Sequence, residues 1–476
     1  MKFYVAGEWI DKADMIDVRN PYDGSVIDTV PKADADDVER ALAAAVEGAR
    51  TMRNLTGYQR YQILQRAAQL MAERQDKLGR LISTEEGKVL AEGATEAARA
   101  RETIELSAEE AKRIGGELLP LSGASTGKGK LGFTLPVPCG VVAAITPFNF
   151  PLNLVCHKVG PALAAGNAVI LKPASDTPLS ALALVEILLE AGLPPLAISC
   201  LTGSGATIGN ALCRDERVRK ISFTGSREIG EQICKQAGLK KITLELGSNS
   251  PLIVMPDADL EKVAAATIAT GYSNSGQTCI STQRVIALEG VYGDLLDLLR
   301  PQVEALRVGN QLDEHTAVGP MIRAADAQRV SQWVAEAVSG GARLLAGGEH
   351  EGTLHQPTLL ADVTPEMRVS QQELFGPAVV VSRAAHIDAA IAQANNTRYG
   401  LSAGIFTRDL GWALRFAQEV DSGNLHINWG PQWRADLMPY GGLKDSGIGR
   451  EGPKYAIQEM IEYKTVVVHE SLIPRP

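Results

Sequence analysis

Gly-Val-Val-Ala-Ala-Ile-Thr (140–146) is an uncharged run rich in valine, and Pro147 follows it. A short run with almost no polar position reads as a strand buried on both faces. Four similar runs follow: Ala-Val-Ile-Leu-Lys-Pro (168–173), Ile-Ser-Cys-Leu-Thr-Gly (198–203), Lys-Ile-Ser-Phe-Thr-Gly (220–225) and Ile-Thr-Leu-Glu-Leu-Gly (242–247). Their starts, at 140, 168, 198, 220 and 242, lie 28, 30, 22 and 22 residues apart, room each time for a crossover helix. The spacing predicts an α/β fold with a parallel, doubly wound sheet that gathers ligands at the strands' carboxyl ends.

On the C-terminal side a second alternation runs from 250 to about 430, with apolar strands near 251–255, 378–383 and 402–407 and Ala-rich helices such as 258–272. It predicts a second α/β domain. On the N-terminal side, residues 35–115 read as mostly helical, with apolar positions at i, i+3 and i+4 as in Tyr61, Leu64, Ala67 and Ala68. The tail 463–469 is strand-like and lies beyond the second domain, so it needs another edge, which a second subunit can offer.

The 476 residues exceed what one core fills, so about two or three domains are expected. The charge, 47 minus 56 or −9, comes without a basic run, which argues against nucleic acid and acidic membranes and leaves small molecules as partners. The 46 glycines point to tight turns or close backbone approaches to a ligand. The six cysteines have no paired spacing, which fits a reducing, cytoplasmic compartment, and the histidines include no HxxxH pair, so no metal is expected. Glu8 and Asp11 interrupt what would be the apolar core of a signal peptide, and no export is expected. Residues 131–156 carry no charge and are long enough to span a bilayer, but Pro136, Pro138, Pro147 and Pro151 would break such a helix. Buried strands and loops are expected there, with no membrane association.

Cys279 differs from the other five cysteines because it follows a Gly-containing turn and precedes an apolar strand, in Ser-Gly-Gln-Thr-Cys-Ile-Ser (275–281). A thiolate nucleophile needs an activating base and a group that stabilises the oxyanion. Glu245, an ionisable residue in an apolar strand end, is a candidate base, and burial would raise its pKa. Asn149 lies just past the first strand and can donate its amide to an oxyanion; the alternative is a turn cap. Gly203, Gly205 and Gly209 match a dinucleotide fingerprint only loosely, while Gly225 and Ser226 end a strand and open a helix suited to a pyrophosphate. Lys172 ends the second strand where an adenosine ribose would sit, or snorkels there.

Taken together, Ile-Thr-Pro-Phe-Asn-Phe-Pro (145–151), Gly-Asn-Ala-Val-Ile-Leu-Lys-Pro (166–173), Phe-Thr-Gly-Ser (223–226), Leu-Glu-Leu-Gly (244–247), Gly-Gln-Thr-Cys (276–279) and Glu-Leu-Phe-Gly-Pro (373–377) resemble the aldehyde dehydrogenase superfamily. The resemblance covers nearly the whole chain. It implies a Rossmann-like parallel-sheet cofactor domain (1–118 and 139–247), an α/β catalytic domain (248–450), and an oligomerisation arm with the C-terminal strand (119–138 and 451–476). A homodimer or homotetramer follows, with the arm and tail strand forming a sheet shared between subunits.

The resemblance further implies that Cys279 attacks the aldehyde, that Asn149 and the Cys279 amide hold the oxyanion, and that Glu245 activates the hydrolytic water. NAD or NADP would lie along Thr146, Pro147 and Phe148, with Lys172 and Ser175 at its adenosine end, Gly225, Ser226 and Leu246 below it, and Glu373 and Phe375 at the nicotinamide. Ser175 stands where strictly NAD-using members often carry glutamate, so no charge there repels a 2′-phosphate. Phe150, Thr278, Arg99 and Arg434 are expected on the substrate side, the two arginines as receptors for an anionic or hydroxylated far end. The C-terminal run 433–442, with 449–452, looks most like the branch of lactaldehyde, non-phosphorylating glyceraldehyde-phosphate and phosphonoacetaldehyde dehydrogenases, which favours small polar aldehydes. Two other readings remain: an acylating enzyme that releases its thioester to coenzyme A, and a non-catalytic oligomeric protein of the same fold.

Overall fold

The computed structural model describes residues 1–469, and the part of the expected tail at 470–476 lies outside the described residues. The chain builds two large sheets, each with its own apolar core. In the first, five parallel strands run side by side in the order Ile198–Cys200, Ala168–Lys172, Val141–Ile145, Val218–Thr224, Lys241–Glu245. Every residue of Val141–Ile145 and Ala168–Lys172 is buried, which is why these runs show no polar alternation. The chain winds outward from Val141–Ile145 and then returns to its other side, so the topological switch lies between that strand and Val218–Thr224.

The sheet is parallel only in its centre. A hairpin of Phe3–Val5 and Glu8–Ile10 pairs antiparallel with Ile198–Cys200, and Gly447–Ile448 pairs antiparallel with Lys241–Glu245. These pieces are too short for a sequence period to reveal them.

The expected helical region resolves into α1 (Ala35–Asn54), α2 (Gly57–Glu73), α3 (Gln75–Glu86) and α4 (Leu90–Ala111). Asp34 and Thr56 start α1 and α2 with capping boxes. Gly87, at φ +99°, ends α3 and turns the chain inward before α4. The uncharged stretch 131–156 holds strands and a loop as expected, but its last residues open a helix, α5 (Asn153–Ala164), which packs on α4. The next helix, α6 (Leu179–Glu190), follows the Ala168–Lys172 strand.

The second sheet orders Arg343–Ala346, Thr358–Ala361, Ala378–Ala384, Arg284–Leu288, Pro251–Val254, Ser402–Phe406 and Asn424–Ile427, parallel except at its first strand. A small third sheet joins Ile461–Val468 to Leu131–Pro138 and Leu118–Leu119. The edge that the tail strand needs is offered by the arm strand Leu131–Pro138 of its own chain. The helix before it, Pro453–Glu459, is not part of that arm, because Ile457, Met460 and Ile461 belong to the first core. Among the described residues, no helix is long and apolar enough to cross a membrane, and no cluster of three potential metal ligands occurs.

Candidate active site

A cavity of about 900 Å³ opens at the carboxyl ends of the first sheet and is closed from the other side by residues that flank the second. It is bordered by Asn149, Glu245 and Cys279, and by Thr146, Pro147, Phe148, Lys172, Ser175, Gly225, Ser226, Leu246, Glu373 and Phe375. Residues expected together from a span of 229 positions, Thr146 to Phe375, thus converge on one volume. Gly205 and Gly209, of the loose glycine fingerprint, also border it.

Cys279 ends a tight loop in which Asn274 and Ser275 hold φ of +50° and +53°. Left-handed backbone at a non-glycine residue costs about 1–3 kcal/mol and persists only where neighbours over-determine it. Here the Glu92 carboxylate accepts from Asn274 N at 2.9 Å, Ser275 Oγ donates to Gly319 O at 2.7 Å, and Gln277 Oε1 accepts from Ile322 N at 3.0 Å. Gly276 has no room for a side chain, since a Cβ would lie 2.0 Å from Gly376 O. Burial pushes the Cys279 thiol up to about 12, against the Tyr440 hydroxyl that sits 3.2 Å from Sγ.

Glu245 is the last residue of its strand and is 2 % exposed. Neither carboxylate oxygen has a hydrogen-bond partner. Burial raises its pKa well above the ordinary value, the negative Glu451 raises it further, and the Arg434 and Lys158 charges oppose this. Asn149 is 4 % exposed, and its Nδ2 donates to Gln277 O at 2.8 Å, which leaves a second N–H for another acceptor.

At the other end of the cavity, burial lowers the Lys172 ammonium to about 8, and Ser175 Oγ donates to Gly203 O at 2.9 Å. Asp176, beside Ser175, is held by Arg323 from across the cleft. Ser226 stands at the N-cap position of the helix Arg227–Ala237 without a side-chain capping bond, and the first turn borders the cavity at Glu228 and Ile229. Glu373 accepts from Ser248 N at 3.0 Å, and burial lifts its carboxyl to about 7. Its carboxylate lies against Gly247, where a Cβ would be 2.2 Å from Oε2. Phe375, at φ +48°, meets Phe148 edge to face at 6.0 Å. The residues present fit a dinucleotide: a buried cation and an open helix terminus for phosphates, two aromatic edges, and the buried, unpartnered Thr146 hydroxyl.

The four substrate-side residues do not border this cavity. Phe150 turns its ring under the Lys88 ammonium at 3.9 Å, and the Thr278 hydroxyl is buried without a partner. Arg99 does not pair along its helix; its fork grips Asp436 at 2.8 and 3.0 Å. Arg434 is 6 % exposed, donates to Glu451 at 3.0 Å, contacts His157 Nδ1 at 3.0 Å and lies 4.1 Å over the Tyr440 ring. Both forks are thus already engaged by carboxylates, in a buried cluster behind Tyr440 that also contains Lys158, bound to Glu451 at 2.8 Å. Despite burial, His157 and Arg99 hold Asp436 below the carboxylate range, and Lys158 and Arg434 do the same for Glu451. Burial and the Arg434 charge lower His157, against the Asp436 and Glu451 carboxylates. Arg99, Arg434 and Lys158 thus face Asp436 and Glu451.

Tyr440 was not among the expected site residues. It lies in the quoted run 433–442 but is 161 residues from Cys279, and no spacing rule connects them. Asp176, Arg323, Lys88 and Glu92 are likewise visible only in three dimensions.

The aldehyde dehydrogenase family pattern matches residues 9–466. The chain is 46% identical over 466 residues to a 3-sulfolactaldehyde dehydrogenase of Priestia aryabhattai, covering 98% of this chain and 97% of the relative. It is 42% identical over 471 residues to the NADP(+) succinate-semialdehyde dehydrogenase of Escherichia coli, covering 98% and 97%. Among solved structures, the NADP-dependent glyceraldehyde-3-phosphate dehydrogenase of Bacillus halodurans, complexed with NADP, superposes with a TM-score of 0.96 at 34% identity, covering 98% of this chain and 99% of that one.

Proposed function

Because the chain belongs to the aldehyde dehydrogenase family and is an enzyme of its NAD(P)-dependent kind, we propose that it oxidises a short aldehyde with an anionic far end to the carboxylate, through a thioester on Cys279 that water hydrolyses. The observation that carries this reading is the convergence of Cys279, Asn149 and Glu245 on one cavity at the carboxyl ends of the first sheet. We take 1–118 and 139–247, with the helix Pro453–Glu459, as the cofactor domain, 248–450 as the catalytic domain, and 119–138 with the strand Ile461–Val468 as the arm.

In this reading the Cys279 thiol first gives its proton to solvent water; the thiolate then attacks the carbonyl carbon, and the electron pair displaced onto oxygen is held by the free N–H of Asn149 Nδ2 and the Cys279 amide. Bound NAD or NADP supplies the hydride acceptor. Glu245 takes a proton from the water that attacks the thioester, and the sulfur leaves. Lys172, Ser175, Gly225 and Ser226 would hold the adenosine and phosphate end, Thr146, Pro147 and Leu246 its middle, and Glu373, Phe375 and Phe148 the nicotinamide end.

Both dinucleotides should be used. Ser175 has no charge, the Asp176 carboxylate is taken by Arg323, and Lys172 remains cationic at neutral pH. The ratio of kcat/KM for NAD and NADP is expected to stay under about 100, and Ser175→Glu should weaken NADP use by about 1–3 kcal/mol, the scale of a partly screened like-charge contact. A wild-type enzyme that ignores NADP would refute this account of position 175.

The anionic substrate is supported by relatives named for sulfolactaldehyde, succinate semialdehyde and glyceraldehyde 3-phosphate. The two arginines differ as receptors. Arg434 is buried, and its loss would strand Glu451, whereas the Arg99 side chain is 28% exposed and can turn its fork to a ligand. Arg99→Leu should raise KM for succinate semialdehyde by about tenfold or more while propanal is nearly unaffected. Equal losses on both aldehydes would withdraw the anion reading. The exposed apolar side chains of Leu118, Leu131, Leu135, Tyr463 and Val467 on the small sheet support a homodimer or tetramer. The six free cysteines support a reducing, cytoplasmic compartment.

A further inference from the structure

Between α3 and α4 the chain buries a group that the mechanism above does not use. Lys88 is 2 % exposed. Its Nζ donates to Glu96 Oε2 at 2.7 Å and to the main-chain carbonyl of Asn149, also at 2.7 Å. The other oxygen of Glu96 accepts from the amides of Leu152 and Asn153 at 2.9 and 3.0 Å, where α5 begins. One turn earlier on the same helix, Glu92 caps Asn274 N, in the strained loop that ends at Cys279. Asn274 Nδ2 then reaches the same Asn149 carbonyl at 3.2 Å.

The Asn149 carbonyl is thus clamped between an ammonium from α3–α4 and an amide from the nucleophile loop, while its side chain bonds Gln277, two residues before Cys279. A buried ion pair gives little net stability compared with apolar residues of the same volume, so stability alone is a weak reason for a lysine here. Its second bond goes to the residue whose amide must point at the oxyanion, and donors of this kind act only when held to within a fraction of an ångström.

We propose that Lys88, supported by Glu92 and Glu96, is a positioning residue that sets the Asn149 amide and the Cys279 loop in one register, so that aldehyde attack meets a preformed oxyanion site. This inference rests on the reading of Asn149 as an oxyanion donor. Lys88 touches neither substrate nor sulfur; it acts through Asn149.

The test separates two reactions of the same thiol. Aldehyde attack makes an oxyanion, whereas alkylation of Cys279 by iodoacetamide displaces iodide and makes none. In Lys88→Met the acylation rate, read as the pre-steady-state NADH burst, is expected to fall about 10- to 100-fold, with the alkylation rate and the cofactor KM held within about twofold. Asn149→Ala should give the same pattern. If Asn149→Ala acylates normally, the oxyanion reading fails; if Asn149→Ala shows the split and Lys88→Met does not, the Lys88 inference alone fails. Parallel loss of alkylation and acylation in a folded Lys88→Met enzyme also overturns it, because that marks collapse of the loop. Should Lys88→Met not fold, Lys88→Arg, which keeps the charge beside Glu96 but not the compact ammonium, is read by the same split.

Discussion

Replacing Cys279 with alanine is expected to lower aldehyde oxidation by about ten-thousandfold or more while cofactor affinity changes little. In the proposed mechanism the sulfur is the atom that bonds the carbonyl carbon, and no other cysteine borders the cavity beside Asn149 and Glu245. The proposed cofactor contacts lie instead along the rest of the cleft, from Lys172 to Glu373. The substitution leaves the Tyr440 hydroxyl without its sulfur partner, a loss of about 1 kcal/mol that the fold can absorb. Dehydrogenase rate and dinucleotide titration of the same preparation check both halves. Residual turnover within about tenfold of wild type would remove Cys279 from the nucleophile's role. The thiol also has a pH signature. Because burial pushes it up to about 12, the thiolate fraction of the free enzyme should rise about tenfold per pH unit from 7 to 10, and iodoacetamide alkylation should follow that slope.

The sequence made legible what repeats or what is chemically costly. Buried parallel strands repeat, so Val141–Ile145, Ala168–Lys172, Val218–Thr224 and Lys241–Glu245 stood out within one or two residues of their observed ends. A glutamate in an apolar strand end and a cysteine after a glycine turn stood out because few environments tolerate them. What stayed hidden was decided by contacts between distant segments. The pairing of Tyr4 with Cys200 is fixed by the sheet edge that the later strand leaves open, and three residues carry no period. The sequence marks Arg99 as a receptor for a substrate's far end, yet Asp436, 337 residues away, offers it a buried carboxylate that no local spacing can include. Tyr440 and Lys88 meet the site only because the loop 433–442 and the α3–α4 turn fold over it from opposite ends of the chain.

Replacing Glu245 with glutamine should act on the second half of the reaction. Hydrolysis of the thioester needs a base for water, and loss of such a base typically costs about 10²- to 10⁴-fold. Acylation needs the Asn149 side and the sulfur, so one rapid equivalent of NADH per site is expected before a slow steady rate. Stability gives an internal control of unusual sign. In the folded protein Glu245 is buried, unpartnered and raised well above its ordinary 4.5, so the folded state binds more protons than the unfolded state once pH passes that value. The slope of unfolding free energy with pH follows protons bound unfolded minus folded, which is negative here, so this residue's contribution falls as pH rises from about 4.5 to the raised folded pKa. Glutamine carries no such slope. The variant should therefore melt no lower than wild type at pH 6 and higher than it at pH 9, while its kcat loses the rise with pH that ionisation of Glu245 gives the parent. The same variant decides between water and coenzyme A as acceptor. Thiolysis brings its own nucleophile and needs no such base, so an acylating enzyme would keep its rate with coenzyme A after Glu245→Gln, and wild type would form an acyl thioester. Hydrolysis predicts that coenzyme A changes neither rate nor product. A variant with neither burst nor steady turnover would assign Glu245 to the attack of Cys279 itself, with its carboxylate serving as the acceptor of the thiol proton.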